Sequence, residues 1–432
     1  MIDAPRARDT IFALSSGALP AAIAIVRVSG PASAHAVVAL AGALPPPRRV
    51  AVRTLRDGEG APLDRAVVLW LPGPATVTGE DMAEFHLHGG RAVAAAVQRA
   101  LDLVPGLRGA RAGEFTRRAF DNGRLDLTEA EGLADLIAAE TEAQRRQAIR
   151  LAEGGLSRLI EMWRGQILNL AAHVEAAIEF GEEEADVPAL GGAEQAAIGA
   201  LGAAMQDALD RPPAERLRDG LRVVIAGPVN AGKSSLINAL VGREVAIATP
   251  IEGTTRDLIE APVILDGVPL ILIDSAGLRD SEDPVEQVGI ARARTALDTA
   301  DVVLWLGAPA EAPAGAILVH PRVDAAGRAA SVPARALAVS SRTGAGLADL
   351  RGAVLARAHM LLPPADQVAM NARHRTSIAQ VAAELDMAQS VADPILVAEH
   401  LRAARAGLDQ IGGRAEVEDM LDTLFGRFCI GK

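Results

Sequence analysis

The 432-residue sequence predicts a multidomain protein of mixed α/β and all-α structure. Three observations support this prediction. Strand-like apolar runs separated by turn residues fill residues 1 to 118, helical periodicity continues for roughly fifty residues after Leu125, and a second strand-rich block begins abruptly at Leu221. A chain of this length, half of it apolar, normally folds as two or three domains with separate cores.

Short strands characterise the first part of the chain. Apolar runs predict strands at residues 22–28 (AIAIVRV), 66–71 (AVVLWL) and 84–87. The helical run 125–180 is too long for one ordinary helix, so it predicts a bundle of two or three helices. The first 180 residues therefore combine an α/β unit with a helical one.

Strands and helices are predicted to alternate again after Leu221, as in a parallel sheet covered by helices. This block ends near Leu362, where Pro363 and Pro364 mark a boundary, and residues 371–432 are again helical. Helical sequence on both sides of an α/β block predicts that the block is inserted into one helical domain. Two separate helical domains would produce the same pattern, so both arrangements stay open.

Composition narrows the class of protein. The single cysteine, Cys429, excludes an intramolecular disulfide framework and a multi-cysteine metal site, and it fits the reducing cytosol. No charged segment followed by an apolar one opens the chain, and no stretch of about 18 or more apolar residues lacks charges, so we expect neither secretion nor a membrane span. With a net charge of −12, a nucleic-acid partner would have to be held by a local basic patch or shared with another protein.

Lysine is almost absent. Lys233 and Lys432 are the only lysines among 43 basic residues, and all the others are arginine. An ammonium group is a compact point charge, whereas a guanidinium is a planar fork. We therefore expect these two positions to be ones where arginine cannot substitute.

The segment Gly227–Ser235 (GPVNAGKSS) has the pattern of a phosphate-binding loop between a strand and a helix. The glycines allow backbone N–H groups to surround phosphate oxygens, and the N-terminus of the following helix adds positive potential. Lys233 is expected to reach the β- and γ-phosphates, and the Ser234 hydroxyl to bind Mg²⁺. A simple glycine turn before a helix is the alternative, but it leaves the Lys-Ser pair at this offset to chance.

Two further motifs follow, as in a nucleotide-dependent switch. A strand ends at Asp274 in the motif DSAG, so that Asp274 can hold a magnesium-bound water and the Gly277 N–H can contact the γ-phosphate. Between the two motifs, residues 253–257 (GTTRD) predict a first switch in which one threonine completes the magnesium shell. GTTRD alone is equally a surface turn, but its position between the other motifs favours the switch.

The motif that reads the base departs from the usual one. GTPases usually read guanine with Asn-Lys-x-Asp after a strand, and the equivalent stretch here is residues 321–324 (PRVD), which keeps only Asp324. Its carboxylate can pair with the N1 and N2 edge of guanine, and residues 340–342 (SSR) can supply the later backbone contact. We predict guanine rather than adenine, with reduced affinity or selectivity.

Motifs spread over the whole length resemble the MnmE (TrmE) family of tRNA-modification GTPases. In chain order they are DTIFALSSG with IVRVSG, TGEDMAEFHLHGG, GEFTRRAFDNGRLDLTEAEGLADLI, GPVNAGKSSLINAL, GTTRD, DSAGLR and the terminal FCIGK. The resemblance implies an N-terminal α/β folate-binding domain that dimerises (1–118), a helical bundle domain formed from two segments (119–218 and 363–432), and a Ras-like P-loop G domain inserted between them (219–362).

The resemblance also implies an activity. The family's K⁺-activated GTPase works with an FAD-dependent partner, MnmG, to install an aminomethyl or carboxymethylaminomethyl group at C5 of the wobble uridine of tRNA. The one-carbon unit comes from a tetrahydrofolate of the 5-formyl or 5,10-methylene type. The G domains pair across a homodimer, and K⁺ supplies the positive charge that an arginine finger would otherwise bring.

Carried over residue by residue, the family's motifs assign metal-binding and catalytic roles. Ser234 and Thr255 would bind Mg²⁺. Glu286, which would orient the attacking water, and Lys233 would be the catalytic residues. On sequence alone, a solvated carboxylate at a helix start explains Glu286 better. The K⁺ ligands would be Asn230, Thr249, Ile251 and Thr254. The predicted GTP contacts are Asn230, Ala231, Gly232, Lys233, Ser234, Ser235, Thr249, Pro250, Ile251, Glu252, Gly253, Thr254, Thr255, Asp274, Ser275, Ala276, Gly277, Asp324, Ser340, Ser341 and Arg342.

Four residues fall on the family's folate-binding positions: Arg27, Glu84, Arg124 and Lys432. Glu84 would pair with the amino and ring N–H edge of the pterin, and the basic groups with carboxylates. The family often has lysine where this chain has Arg124. The alternatives are that Arg27 and Glu84 pair with each other or with surface charges, and that Lys432 is a frayed terminal residue.

Simpler roles than catalysis explain two histidines and the cysteine. His86 and His88 lie two apart on one strand face, but no third metal ligand suggests itself, so we predict packing or turn roles. Cys429 has no neighbouring histidine in sequence, so we predict that it is buried or lines a substrate site rather than acting as a nucleophile.

A second function shares the same G domain: a regulatory or ribosome-assembly GTPase that binds RNA and carries no one-carbon chemistry. The N-terminal block and the CIGK tail separate the two hypotheses, because a ribosome-assembly switch has no evident need for either.

Overall fold

A computed structural model describes residues 9–180, 191–242, 260–274, 295–364, 367–414, 418–426, 428 and 430–431. The chain divides into two compact units. Unit 1 combines Met1–Ala134 with Asp409–Lys432, and unit 2 comprises Asp135–Leu408. The finer division into four segments that we derived from the sequence stays a prediction. Within the described ranges, no helix has both the length and the apolar character needed to span a bilayer.

Strands and helices alternate with long helical stretches along the chain. The strands are β1 (Thr10–Leu14), β2 (Ile23–Ser29), β3 (Ala51–Arg56), β4 (Pro62–Leu71), β5 (Met82–His88), β6 (Leu107–Gly109), β7 (Leu221–Ala226), β8 (Glu260–Leu265), β9 (Val268–Asp274), β10 (Val302–Trp305), β11 (Ile317–Pro321) and β12 (Leu337–Val339). The helices are α1 (Ser33–Ala41), α2 (Arg91–Asp102), α3 (Glu114–Asp121), α4 (Leu127–Ala138), α5 (Glu142–Ala152), α6 (Gly155–Phe180), α7 (Gly192–Leu209), α8 (Glu215–Arg218), α9 (Lys233–Val241), α10 (Leu347–Leu361), α11 (Ala372–Ser390), α12 (Pro394–Ile411) and α13 (Glu418–Phe425).

Unit 1 is built on a sheet with the strand order β3-β4-β5-β2-β1-β6. Neighbouring strands are antiparallel, except that β1 and β6 are parallel. Residues alternate between the two faces: Val26 and Val28 of β2 are buried against α1 and α2, whereas Arg27 lies on the opposite face. In the register of β2 with β5, Arg27 lies directly opposite Glu84.

The C-terminal residues of unit 1 complete a second hydrophobic cluster with α3 and α4. Phe425 and Phe428 pack with Leu127 and Ala130. The chain approaches so closely here that a Cβ at Gly113 would lie 2.2 Å from the Phe425 carbonyl oxygen. Gly113 also has a φ of +68°, which favours glycine. Glycine at position 113 therefore suits both the close approach of the Phe425 backbone and the positive φ of the turn.

A network of charged side chains fixes α3 to the sheet of unit 1. Arg118 Nη2 donates to Asp9 Oδ1 at 2.8 Å and to Glu114 Oε1 at 3.2 Å, and Arg118 Nη1 lies 3.2 Å from Glu80 Oε2. Burial raises the pKa of Glu114, but its hydrogen bonds and charge interactions, above all with Arg108, outweigh burial and hold that pKa below its usual value. This carboxylate therefore stabilises unit 1 at neutral pH, and its contribution is lost as the pH falls through the lowered pKa.

The helical part of unit 2 includes α5, α6, α7 and α11. The helical run predicted within 125–180 consists of three helices, α4 to α6, of which α4 begins in unit 1. α7 packs along α11, burying Leu201 and Met205 on one helix and Ile378 and Leu385 on the other. The break between α4 and α5 is fixed by a capping box, in which the Thr141 side chain accepts from the backbone N–H three residues on.

The sheet of unit 2 has the order β12-β11-β10-β7-β9-β8. Its neighbours are parallel, except that β8 is antiparallel to β9. α9 and α10 cover one face, where Val223, Leu304 and Val319 join Leu236 and Val354 in one core. The carboxyl ends of the parallel strands consequently lie along one edge of the sheet.

The predicted alternation of strands and helices is wrong between β10 and β12. The connections contain only the short 3₁₀ turns Pro309–Glu311 and Ala329–Ser331. In the first connection (GAPAEAPAGA), Pro309 and Pro313 remove backbone donors and clash with a continuing helix. The strands remain parallel because each connection is long enough to cross without a helix.

We predict that Gly113→Ala loosens the C-terminal helix α13 from the rest of unit 1. Alanine at this φ costs about 1–3 kcal/mol by itself, and its Cβ would clash with the backbone of Phe425. Gly123→Ala is the matched control, because Gly123 has a similar φ of +63° but no atom near the added Cβ. Hydrogen–deuterium exchange of α13 amides should rise in the first variant only. Equal exchange in the two variants would show that backbone strain, and not the contact, determines the effect.

Candidate functional sites

The predicted phosphate loop connects β7 to α9 at the carboxyl edge of the unit 2 sheet. Gly227, Asn230 and Gly232 have φ values of 142°, 59° and 99°. At Gly227 an added Cβ would lie 3.1 Å from the Cβ of Leu306, so the neighbouring strand leaves little room for a side chain. α9 begins immediately after Gly232, and its free backbone N–H groups make this helix end favourable for an anion.

The ammonium group of Lys233 lies under this loop. Its Nζ donates to the carbonyl oxygen of Gly227 at 3.0 Å and to that of Pro228 at 2.9 Å, and the residue is buried. Burial lowers the pKa of Lys233, while the negative charge of Asp274 opposes this shift. A charged donor is thus held at the position where the sequence predicts phosphate.

Ser234 and Asp274, which lie 40 residues apart in sequence, are brought together. Ser234 Oγ donates to Asp274 Oδ2 at 2.5 Å. The other carboxylate oxygen, Oδ1, is buried and has no hydrogen-bond partner in the described part of the chain. A buried oxygen of this kind fits Mg²⁺ or a magnesium-bound water, since Mg²⁺ takes hydroxyl, carboxylate, water and phosphate oxygens. The described residues contain no cluster of three His, Cys, Asp or Glu side chains, so such an ion would also need phosphate oxygens.

The predicted base-reading residues meet at the same edge. Ser340 Oγ donates to Asp324 Oδ1 at 2.5 Å, and Arg342 Nε donates to Oδ2 at 2.8 Å. The hydrogen bond from Ser340, assisted by Arg342, lowers the pKa of Asp324 although desolvation opposes the shift. The carboxylate is therefore ionised at neutral pH, as a group that accepts N–H donors must be. Ser341, also predicted as a contact, follows Ser340 directly and is half-buried.

Arg322 is a residue of this region that the sequence prediction missed. Its guanidinium lies against the phosphate loop: a Cβ at Gly232 would be 3.7 Å from Arg322 Nε. The signal was available, because Arg322 occupies the lysine position of the usual Asn-Lys-x-Asp motif. Asp324 is the one identical member of that motif, but a basic side chain still connects the base-reading segment to the loop.

The other described nucleotide contacts predicted from sequence, Ala231 and Ser235, lie in the loop and the first turn of α9. The remaining predicted residues lie outside the described part of the chain. They are Thr249, Pro250, Ile251, Glu252, Gly253, Thr254, Thr255, Ser275, Ala276, Gly277, Glu286, Cys429 and Lys432.

In unit 1, Arg27 and Glu84 pair with each other, as one of the sequence alternatives held. Arg27 Nε donates to Glu84 Oε1 at 3.1 Å, and His86 Nε2 lies 3.0 Å from Glu84 Oε2. Burial raises the pKa of Glu84, but the hydrogen bond with His86 and the charge of Arg27 outweigh it, so the pKa lies below its usual value. His86 is the partner that sequence reasoning missed, although its spacing of two from Glu84 on a strand indicates a shared face.

The structure shows other surroundings for Arg124, for the C-terminal tail that carries Lys432, and for His88. Arg124 is exposed, and its side chain lies beside Gly79, where an added Cβ would be 3.2 Å from Arg124 Cγ. The C-terminal tail returns to β1, because Ser15 Oγ donates to the Gly431 carbonyl at 2.8 Å and Ile430 forms an antiparallel bridge with Ala112. His88 pairs with Asp64, its Nδ1 lying 2.7 Å from Asp64 Oδ1.

Known protein families match residues in both units of the chain. Residues 10–124 match a family model described as the GTP-binding protein TrmE N-terminus, and residues 127–429 match one described as the MnmE helical domain. Three relatives are each named tRNA modification GTPase MnmE. The protein of Rhizorhabdus wittichii is 56% identical over 99% of this chain and 97% of its own length. Those of Novosphingobium aromaticivorans and Erythrobacter litoralis are 53% and 52% identical, each over 98% of this chain and 100% of their own length.

We predict that Lys233→Arg weakens GTP binding by about 10- to 100-fold, because the planar guanidinium cannot occupy the pocket between the Gly227 and Pro228 carbonyls. The reverse exchange at an exposed site, Arg357→Lys, is the control and should leave affinity unchanged. Fluorescence titration with a labelled GTP analogue measures both. Unchanged affinity in Lys233→Arg would mean that this position needs only positive charge.

Proposed function

This chain belongs to the MnmE family of tRNA modification GTPases, and on that premise we propose that it hydrolyses GTP as part of tRNA modification. The observation that carries the proposal is the convergence of Lys233, Ser234 and Asp274 around one loop. They supply a buried ammonium, a hydroxyl, and a carboxylate with a buried oxygen that has no partner among the described residues, the set of groups that a magnesium-bound triphosphate requires.

Each of these residues has a distinct task in the proposed reaction. Lys233 supplies a charged donor to the β- and γ-phosphates, and backbone N–H groups at the start of α9 bind the same oxygens. Ser234 and Thr255 would hold Mg²⁺, which offsets the negative charge of the phosphates. Asp274 orients the Ser234 hydroxyl, and Glu286 is proposed to orient the attacking water. Asp324 reads the base as an ionised acceptor.

K⁺ activation is the second part of the proposal. The Asn230 side chain is exposed and forms no hydrogen bond with any residue that the structure describes, so its amide oxygen is available to a cation. Thr249, Ile251 and Thr254 are proposed to supply further oxygens. A cation held by these residues would offset charge that develops on the phosphates during hydrolysis, in place of an arginine finger.

Unit 1 is proposed to bind a tetrahydrofolate of the 5-formyl or 5,10-methylene type through Arg27, Glu84, Arg124 and Lys432. Glu84 supports this role because it is an ionised acceptor on the sheet face opposite α1 and α2. We further propose that the chain forms a homodimer through this unit. With the FAD-dependent MnmG it would transfer the one-carbon unit to C5 of the wobble uridine of tRNA. The cytosol is the proposed compartment.

The first experiment compares GTP and ATP hydrolysis by the purified protein in KCl and in NaCl at equal ionic strength. We expect turnover that favours GTP and requires K⁺. Asn230→Ala should lose the difference between the two salts while remaining folded, because it removes one proposed K⁺ ligand. Asn238→Ala, on the same helix-and-loop segment but outside the loop, is the control. Equal stimulation of the unmutated protein by Na⁺ and K⁺ would remove the potassium site from the proposal.

The second experiment tests the folate site. Glu84→Gln removes the acceptor charge, and we expect binding of 5-formyltetrahydrofolate to weaken by about 10- to 100-fold, the effect of a lost charged hydrogen bond. Asp64→Asn is the matched control, because Asp64 also pairs with a histidine on this sheet but is not predicted to touch folate. Calorimetric titration gives both affinities. A similar loss in the two variants would indicate a general effect on the sheet and would contradict a direct role of Glu84.

A further inference from the structure

The carboxylate of Asp324 is largely occupied by donors from its own chain. Ser340 Oγ donates to Oδ1, whereas Arg342 covers Oδ2 with two nitrogen atoms, Nε at 2.8 Å and Nη2 at 2.7 Å. An ionised carboxylate offers about two acceptor positions on each oxygen. Oδ2 therefore has no position left for a base, while Oδ1 keeps one.

Guanine needs both carboxylate oxygens to be recognised fully. It presents two adjacent donors, N1–H and the 2-amino group, and two parallel N–H···O bonds require one free position on each oxygen. Hypoxanthine, the base of ITP, presents N1–H but has no 2-amino group. With Arg342 bound to Oδ2, Asp324 can accept N1–H on Oδ1, and this single bond does not distinguish guanine from hypoxanthine.

We propose that Arg342 is a gate on base recognition: its ion pair with Asp324 must open before the carboxylate can accept both N–H groups of guanine. This proposal rests on the proposed GTP specificity and identifies the residue that limits it. Arg342 thereby lowers the affinity for GTP without lowering the affinity for a base that lacks the 2-amino group.

The surroundings allow Arg342 to leave while Asp324 stays in place. The Arg342 side chain is 77% exposed, and Asp324 is its one ion-pair partner among the described residues. Ser340 is fully buried, and its Oγ also accepts from the backbone N–H of Thr343 at 3.1 Å. Ser340 thus holds Oδ1 in position whether or not Arg342 is bound. Because exposed ion pairs contribute little in water, the expected effect on affinity is about two- to fivefold.

The test measures dissociation constants of GTP, ITP and ATP for the unmutated full chain and for three variants of it. Arg342→Ala should tighten GTP binding about two- to fivefold and leave ITP binding unchanged, so that the ratio of GTP to ITP affinity rises. The ratio of GTP to ITP affinity in Arg342→Lys should lie between those of the unmutated protein and of Arg342→Ala, because an ammonium keeps the charge but lacks the planar fork. Arg357→Ala is the matched control, because Arg357 is an exposed arginine on α10. The advantage of Arg342→Ala should shrink at high salt, since salt weakens the exposed pair in the unmutated protein.

The contrary outcomes separate the gate from the function on which it rests. An unchanged or lower ratio of GTP to ITP affinity in Arg342→Ala, with GTP still preferred to ATP, would overturn the gate alone. Equal tightening of GTP and ITP would also overturn it, because the effect would then not involve the 2-amino group. If neither the unmutated protein nor Arg342→Ala binds GTP more tightly than ATP, Asp324 does not read the base, and both the gate and the proposed GTP specificity are wrong.

Discussion

The parallel arrangement of the unit 2 strands is the constraint on which the nucleotide site depends. β7, β9 and β11 run in the same direction, as their parallel pairing with β7 and β10 shows, so their carboxyl ends lie at one edge of the sheet. The phosphate loop, Asp274 and Asp324 are distant in sequence and meet there because of strand direction. The helix-free connections on either side of β11 do not change this, since parallel pairing, rather than helices between the strands, determines at which edge each strand ends.

Each unit holds in the same way a carboxylate that we propose to recognise a ligand. Glu84 and Asp324 are each bound by an arginine and by a second polar side chain, and in both the pKa lies below its usual value. The hydrogen bond from the second side chain, His86 or Ser340, and the charge of the arginine together keep the carboxylate ionised, which a group that accepts N–H donors requires. The same arginine also competes with any ligand for the oxygens. The net binding free energy is therefore that of the hydrogen bonds made to the ligand, less that of the internal hydrogen bonds that must first break.

The sequence was sufficient for whatever depends on neighbours along the chain. Apolar periodicity located strands β2, β4 and β5 and predicted two or three helices within 125–180, where three are observed. The glycine pattern located the turn between β7 and α9. It was insufficient where partners come from distant segments. The pairing of Glu84 with Arg27 depends on strand register, and the position of Arg322 against Gly232 depends on how two loops meet. The absent helices between β10 and β12 were foreseeable from proline, but the expectation of a regular α/β alternation outweighed that local signal.

The division of unit 1 between the two ends of the sequence has a consequence for biosynthesis. The cluster of Phe425 and Phe428 with Leu127 forms only after the ribosome has translated all of unit 2. Until then the nascent chain exposes the apolar surface of α3 and α4 that these phenylalanines later cover. Domains usually fold in order from the N-terminus during translation, but here the first unit to begin is the last to be completed. The interval is one in which a chaperone has a defined surface to protect.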